Sequence, residues 1–249
     1  RSITWTIVRG RPLSLVTRSF HGGKLPFAAS SYRGGMSHEI LHRGAGPTTS
    51  PTYLPAELDT VLWGRLPCAA DAPVLTIDPG TAVTFDTISH EGILEDQGRD
   101  PRVFFGGHGV DGDHVLDDAV ELAASDHPRT WGVDGPHVVT GPVRVVGARR
   151  GDLLVMTLVD ATPRVPYGVI SNRHGKGALP GEMPADGETF SAFAAVDGAG
   201  THGLLPLVPG GDRHVRFPLA PFLGIMGVAV DGDARPHSVP PGAHGGIAL

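Results

Sequence analysis

The chain has 249 residues, 40% of them hydrophobic, a net charge of −6 and a single cysteine, Cys68. One cysteine excludes an intrachain disulfide and a multi-cysteine zinc site. No apolar run reaches the roughly 18 residues of a membrane span, and the negative balance gives no general drive toward nucleic acid.

Residues 1–35 carry six basic residues and no acidic one, which leaves 14 basic against 26 acidic residues, or −12, for the remainder. An Arg- and Ser-rich, acid-free stretch fits a transit peptide. It fits a secretory signal less well, because no apolar segment follows, and it also fits translated sequence upstream of Met36. The last is the expectation here. Residues 1–49 are thus expected to be a basic, disordered leader and linker, and residues 50–249 a β-rich domain.

From Pro51 short apolar runs alternate with turns rich in the 36 glycines and 23 prolines, the grammar of a sandwich or barrel. Val74–Ile77 leads through Asp78-Pro79-Gly80 into Val83–Thr87, with Val83 and Phe85 on one face and Thr84 and Asp86 on the other. A similar unit, Val143–Val146 and then Asp152–Val159, ends in a strand apolar on both faces, which predicts a central, covered position. One amphipathic helix is predicted near residues 114–126. Val115, Leu116, Ala119, Val120 and Ala123 give its spacing, and Asp111-Gly112-Asp113 its cap. Its acids are assigned no chemistry. The prolines and glycines of residues 163–202 predict a long loop, and the apolar stretch 218–230 a buried strand and tight turn.

Thirteen histidines stand out. His90-Glu91 follows a strand end, where the imidazole can ligate a metal and the carboxylate can ligate or act as a base. Asp86 shares the His90 face if the strand runs on. His137 lies in an extended segment between turns. His174 sits in the basic loop Asn172–Gly177, suited to an anion or a carbonyl oxygen. His244 is presented by Pro240-Pro241-Gly242-Ala243-His244-Gly245-Gly246, a shaped loop of the kind on which sites concentrate. Each histidine alone, His108 and His114 included, is more often a satisfied surface or core residue. Paired-histidine metal motifs, G-x-S-x-G and S-x-x-K are all absent, so any site is assembled from distant segments. Cys68 reads as a small apolar residue.

Several segments in order resemble the acetamidase/formamidase family. They are Tyr53-Leu54-Pro55 with Trp63-Gly64, Ile77-Asp78-Pro79-Gly80 with Val83-Thr84-Phe85, and Gly141-Pro142-Val143 with Gly151-Asp152-Leu153-Leu154. Asn172-Arg173-His174-Gly175-Lys176-Gly177, Pro221-Phe222-Leu223-Gly224 and Pro240–Gly246 follow, so the likeness spans about residues 50–246. The resemblance implies a mainly β, sandwich-like fold with a small α+β part. It also implies a homo-oligomer, a cytoplasmic location, and hydrolysis of small linear amides such as formamide or acetamide to the acid and ammonia. A divalent metal, zinc among the candidates, would polarise the carbonyl and activate water. On this reading His90, His137 and Asp86 hold the metal, and Glu91 and His244 are catalytic. His174, Gly245 and Gly246 bind substrate. The family pattern continues past the His-Gly-Gly loop into Asn and Asp where this chain reads Ile247-Ala248-Leu249, so a C-terminally truncated member is expected. Two other readings remain open, a non-catalytic β-sandwich binding module and a cupin-like metal enzyme.

Overall fold

The computed structural model describes residues 2–8, 39–46, 48, 50–186, 188–208, 211–239 and 245–247, the first and last runs as backbone strands only. In chain order the elements are β1 (Ser2–Val8), β2 (Tyr53–Leu54), β3 (Val61–Trp63), β4 (Leu75–Ile77) and β5 (Ala82–Phe85). Next come the helices α1 (Pro101–Gly106) and α2 (Asp117–Ala124), then β6 (Val138–Thr140), β7 (Val143–Val145), β8 (Leu153–Leu158) and β9 (Tyr167–Arg173). The rest are β10 (Thr189–Val196), β11 (His202–Pro206), β12 (His214–Pro218), β13 (Ile225–Gly227) and β14 (Gly245–Ile247). The fold is mainly β with a small helical part, the class expected from the sequence.

One four-stranded sheet runs β2-β5-β1-β8 and another β12-β11-β10-β9, with two-stranded pairs β3-β6, β4-β7 and β13-β14. β5 pairs antiparallel with β1, while β4 pairs parallel with β7, so the two strands flanking Asp78-Pro79-Gly80 enter different sheets. β1 lies between β5 and β8, so Ser2–Val8, within the stretch expected to be disordered, takes a sheet position.

Four local expectations differ from the structure. β8 is not central. It ends the sheet order, with Leu153 48% and Leu158 40% exposed, so apolar residues on both faces do not mark a covered strand here. Residues 163–202 are not one loop, because Tyr167–Arg173 and Thr189–Val196 pair along their length and the glycines and prolines gather in the turn between them. The stretch 218–230 is largely exposed, with Phe222 at 67%, and Phe222, Met226 and Val228 wall a cleft instead of filling a core. The helix is shorter than predicted. Asp113 falls in a separate 3-10 turn, Gly112–His114, and α2 begins at Asp117 without a side-chain cap. α1 was not predicted, although Asp100 caps it by accepting from the Arg102 and Val103 N–H groups and Pro101 opens it.

The buried apolar residues form three clusters that fix the site loops. Ile88, Ile93 and Leu94 pack with Trp63 and Leu122, so buried side chains pin residues 89–92 on both sides. Phe85 packs with Val83, Leu54 and Val145. Phe105, Tyr167 and Phe193 form the third cluster, which seats β9 and β10 against α1. Burial of one such side chain contributes about 1.5–3 kcal/mol.

Candidate active site

β5 stops at Phe85, and the chain then turns through residues 86–92. Thr140 Oγ1 donates to the Asp86 carbonyl at 2.8 Å, tying this turn to β6. β6 pairs with β3 from Trp63 to Val138, and the Gly64 N–H donates to the His137 carbonyl at 2.8 Å, so His137 sits at the start of β6. These ties bring His90 and His137 together, with ring centroids 5.4 Å apart and edge to face. Both line a cleft of about 1090 Å3, as do Val139, Met156, Phe222 and Val228.

Each imidazole is held from behind. His90 Nε2 lies 3.1 Å from Glu91 Oε1, with the His90 side chain 27% and the Glu91 side chain 10% exposed. Gln97 Nε2 donates to Glu91 Oε2 and Ser171 Oγ donates to Glu91 Oε1, each at 2.5 Å. Burial alone would raise the Glu91 carboxyl, but the hydrogen bonds from His90, Ser171 and Gln97 outweigh it and bring the pKa to about 2. His137 Nδ1 is 3.1 Å from Ser238 Oγ. Burial, helped by the charges of His90 and His237, lowers the His137 pKa to about 4, so this ring is neutral at neutral pH.

Ser238 reaches His137 because one glycine gives it room and the carbonyl of another holds its backbone. The Gly64 carbonyl accepts from both Gly135 N and Ser238 N, at 3.0 and 3.2 Å. A Cβ on Gly135 would lie 2.0 Å from Ser238 Oγ, so only glycine fits there.

The structure thus gathers His90, Glu91 and His137. Asp86 is directed elsewhere, accepting from the Tyr53 hydroxyl and lying 3.7 Å from Arg164 Nε in a buried cluster. His174 turns its Nδ1 to the Pro184 carbonyl at 2.9 Å. Gly245 and Gly246 pair with Gly227 and Met226, which belong to the cleft wall. His244 lies outside the described residues. Among the described residues no three His, Cys, Asp or Glu side chains gather as a metal-binding set. The described donors therefore do not fit a zinc or other divalent-metal site by themselves.

Sequence reasoning missed Ser171, Arg173, Gln97 and Ser238. For the first two a signal existed. Tyr167, Val169, Ser171 and Arg173 alternate on one face of β9, and Tyr167 and Val169 pack in the third core cluster. That face carries Ser171 and Arg173 to Glu91.

A mainly β scaffold thus sets two buttressed imidazoles in one cleft, a candidate site. A model of the acetamidase/formamidase family matches residues 112–235, so over that stretch the chain is similar to that family. Among solved structures it is similar to an acetamidase from Bacillus halodurans, at 19% identity and a TM-score of 0.46, over 78% of this chain and 52% of that one. The chain thus spans about half the length of that relative. No curated protein matches it.

Proposed function

We propose that the chain hydrolyses the C–N bond of small linear amides, with His90 as general base and His137 as the donor to the carbonyl oxygen. The observation that carries this reading is the His90–His137 pair, 5.4 Å apart at the cleft, with a carboxylate behind one ring and a hydroxyl behind the other. The family match supports the reaction class.

With Nε2–H of His90 directed at Glu91, the lone pair rests on Nδ1 and can take a proton from water. With the Ser238 hydroxyl donating to His137 Nδ1, the proton of that neutral ring rests on Nε2 and can polarise an amide oxygen. Water oxygen then bonds to the carbonyl carbon as His90 Nδ1 takes its proton. His137 stabilises the tetrahedral oxyanion. The proton on His90 passes to the amide nitrogen, the C–N bond breaks, and the acid and ammonia form. Glu91 keeps its negative charge throughout and stabilises the His90 imidazolium. The steps run through the two rings, His90 and His137. The cleft volume of about 1090 Å3 lies at the upper end of small-molecule sites. Size alone therefore does not confine the substrate to the smallest amides.

Ammonia release from formamide and acetamide by the purified chain tests the proposal. His90→Ala and His137→Ala are each expected to slow release by about 10²–10⁴-fold. Absence of release from both amides, or release unchanged in both variants, would overturn it.

A further inference from the structure

We propose, on the reading of His90 as the base, that Arg173 is a positioning residue that fixes the His90 ring through Ser171 and Glu91, which makes the β9–β10 hairpin part of the site. Neither Arg173 nor Ser171 lines the cleft, so their effect on a bound amide is indirect.

The direction of each hydrogen bond carries the inference. Arg173 has donors only. Its Nη1 lies 3.0 Å from Ser171 Oγ and 3.6 Å from Glu91 Oε1. Ser171 Oγ therefore accepts from Arg173, and its own proton is left to point at Glu91 Oε1, 2.5 Å away. The same carboxylate oxygen faces His90 Nε2 at 3.1 Å. The chain of donors runs from Arg173 through Ser171 to Glu91, with His90 meeting the carboxylate from the other side. A carboxylate held from several directions cannot rotate away, so the His90 proton stays on Nε2 and Nδ1 keeps its lone pair.

The hairpin is itself tied down. Arg173 Nε pairs with Asp96, in the 3-10 turn Glu95–Gln97 that also supplies Gln97. Beyond it, Lys176 Nζ stands 5.6 Å over the Trp131 ring. The guanidinium fork serves Asp96 and Ser171 at once, a geometry that a lysine ammonium cannot reproduce.

The test uses the full chain with Arg173→Gln, Arg173→Lys and Ser171→Ala, each checked for native circular dichroism. Nitrogen-15 spectra of the His90 ring, assigned by their loss in His90→Gln, report the tautomer directly. The wild type is expected to hold one tautomer, Nε2–H, at a pH where the ring is neutral. Arg173→Gln and Ser171→Ala are expected to give mixed tautomers, with Arg173→Lys between. Turnover of acetamide is expected to fall about 10–100-fold in kcat in Arg173→Gln, with KM little changed. An unaltered His90 tautomer in folded Arg173→Gln overturns the proposal. If Arg173→Gln does not fold, an unaltered tautomer in Ser171→Ala does so. Because the ring spectrum needs no substrate, a chain that hydrolyses no amide still decides the positioning role.

Discussion

Two carboxylate–arginine clusters begin five residues apart in the sequence and do different work. Asp86 and Asp118 flank Arg164, whose Nη1 is 2.6 Å from Asp118, with side chains 2%, 0% and 5% exposed. Arg164 also donates to the Leu41 and Thr87 carbonyls at 3.0 and 3.2 Å. Glu91 meets Arg173 and Ser171, but it shares its carboxylate with His90, which opens on the cleft. The chemistry of the partners is similar in both clusters. Access separates a sealed cluster that ties loops together from one that supports a ring on the cleft.

The contrast breaks most sharply at Arg164. Arg164→Met leaves two buried carboxylates without their cation and should cost about 3–5 kcal/mol, read by denaturant unfolding. A loss below about 1 kcal/mol, the range of exposed pairs, would show that the cluster is not sealed. At Glu91→Gln the larger effect should be on turnover. Amide hydrolysis should fall about 10–100-fold, while the loss of stability should stay below that of Arg164→Met. A variant that unfolds readily but turns over normally would erase the distinction.

Stability should also depend on pH through His137. Burial, with the charges of His90 and His237, sets the folded His137 pKa at about 4 against an ordinary 6.5. Below the ordinary value the unfolded chain takes up the proton first, so this ring makes stability fall as pH drops from about 6.5 to about 4, and rise over the same window on the way back. His137→Asn removes that contribution. Thermal unfolding midpoints across the window should then depend less steeply on pH than in the wild type, and an equal slope would speak against a desolvated His137. The smallest effect belongs to the exposed cleft wall. Phe222→Ser should change stability by no more than about 0.5 kcal/mol, because its ring covers no core.

The sequence displayed part of this arrangement. Alternation marked Val83 and Phe85 as one face of a strand, and helical spacing found α2 within a few residues. His90, Glu91 and His137 were legible because titratable residues beside turns and strand ends are conspicuous. Asp86 was grouped with His90 on the assumption that the strand ran on, but β5 ends at Phe85, which breaks the two-residue period. Ser171 and Arg173 were hidden because counting glycines and prolines across residues 163–202 masked two regular strands around a punctuated turn. The Asp100-Pro101 pair is a legible helix start for α1. Ser238 carries no local signal. Its place beside His137 is set by the Gly64 carbonyl and the open face of Gly135, contacts made across most of the chain.

The most direct test of two imidazoles acting on one amide is a titration of the full chain with acetamide, followed by nitrogen-15 spectra of the histidine rings. His90 and His137 are expected to shift together and saturate at the same acetamide concentration, while His174, held on the Pro184 carbonyl, stays still. Saturation that moves neither ring, or only one of them, contradicts that expectation.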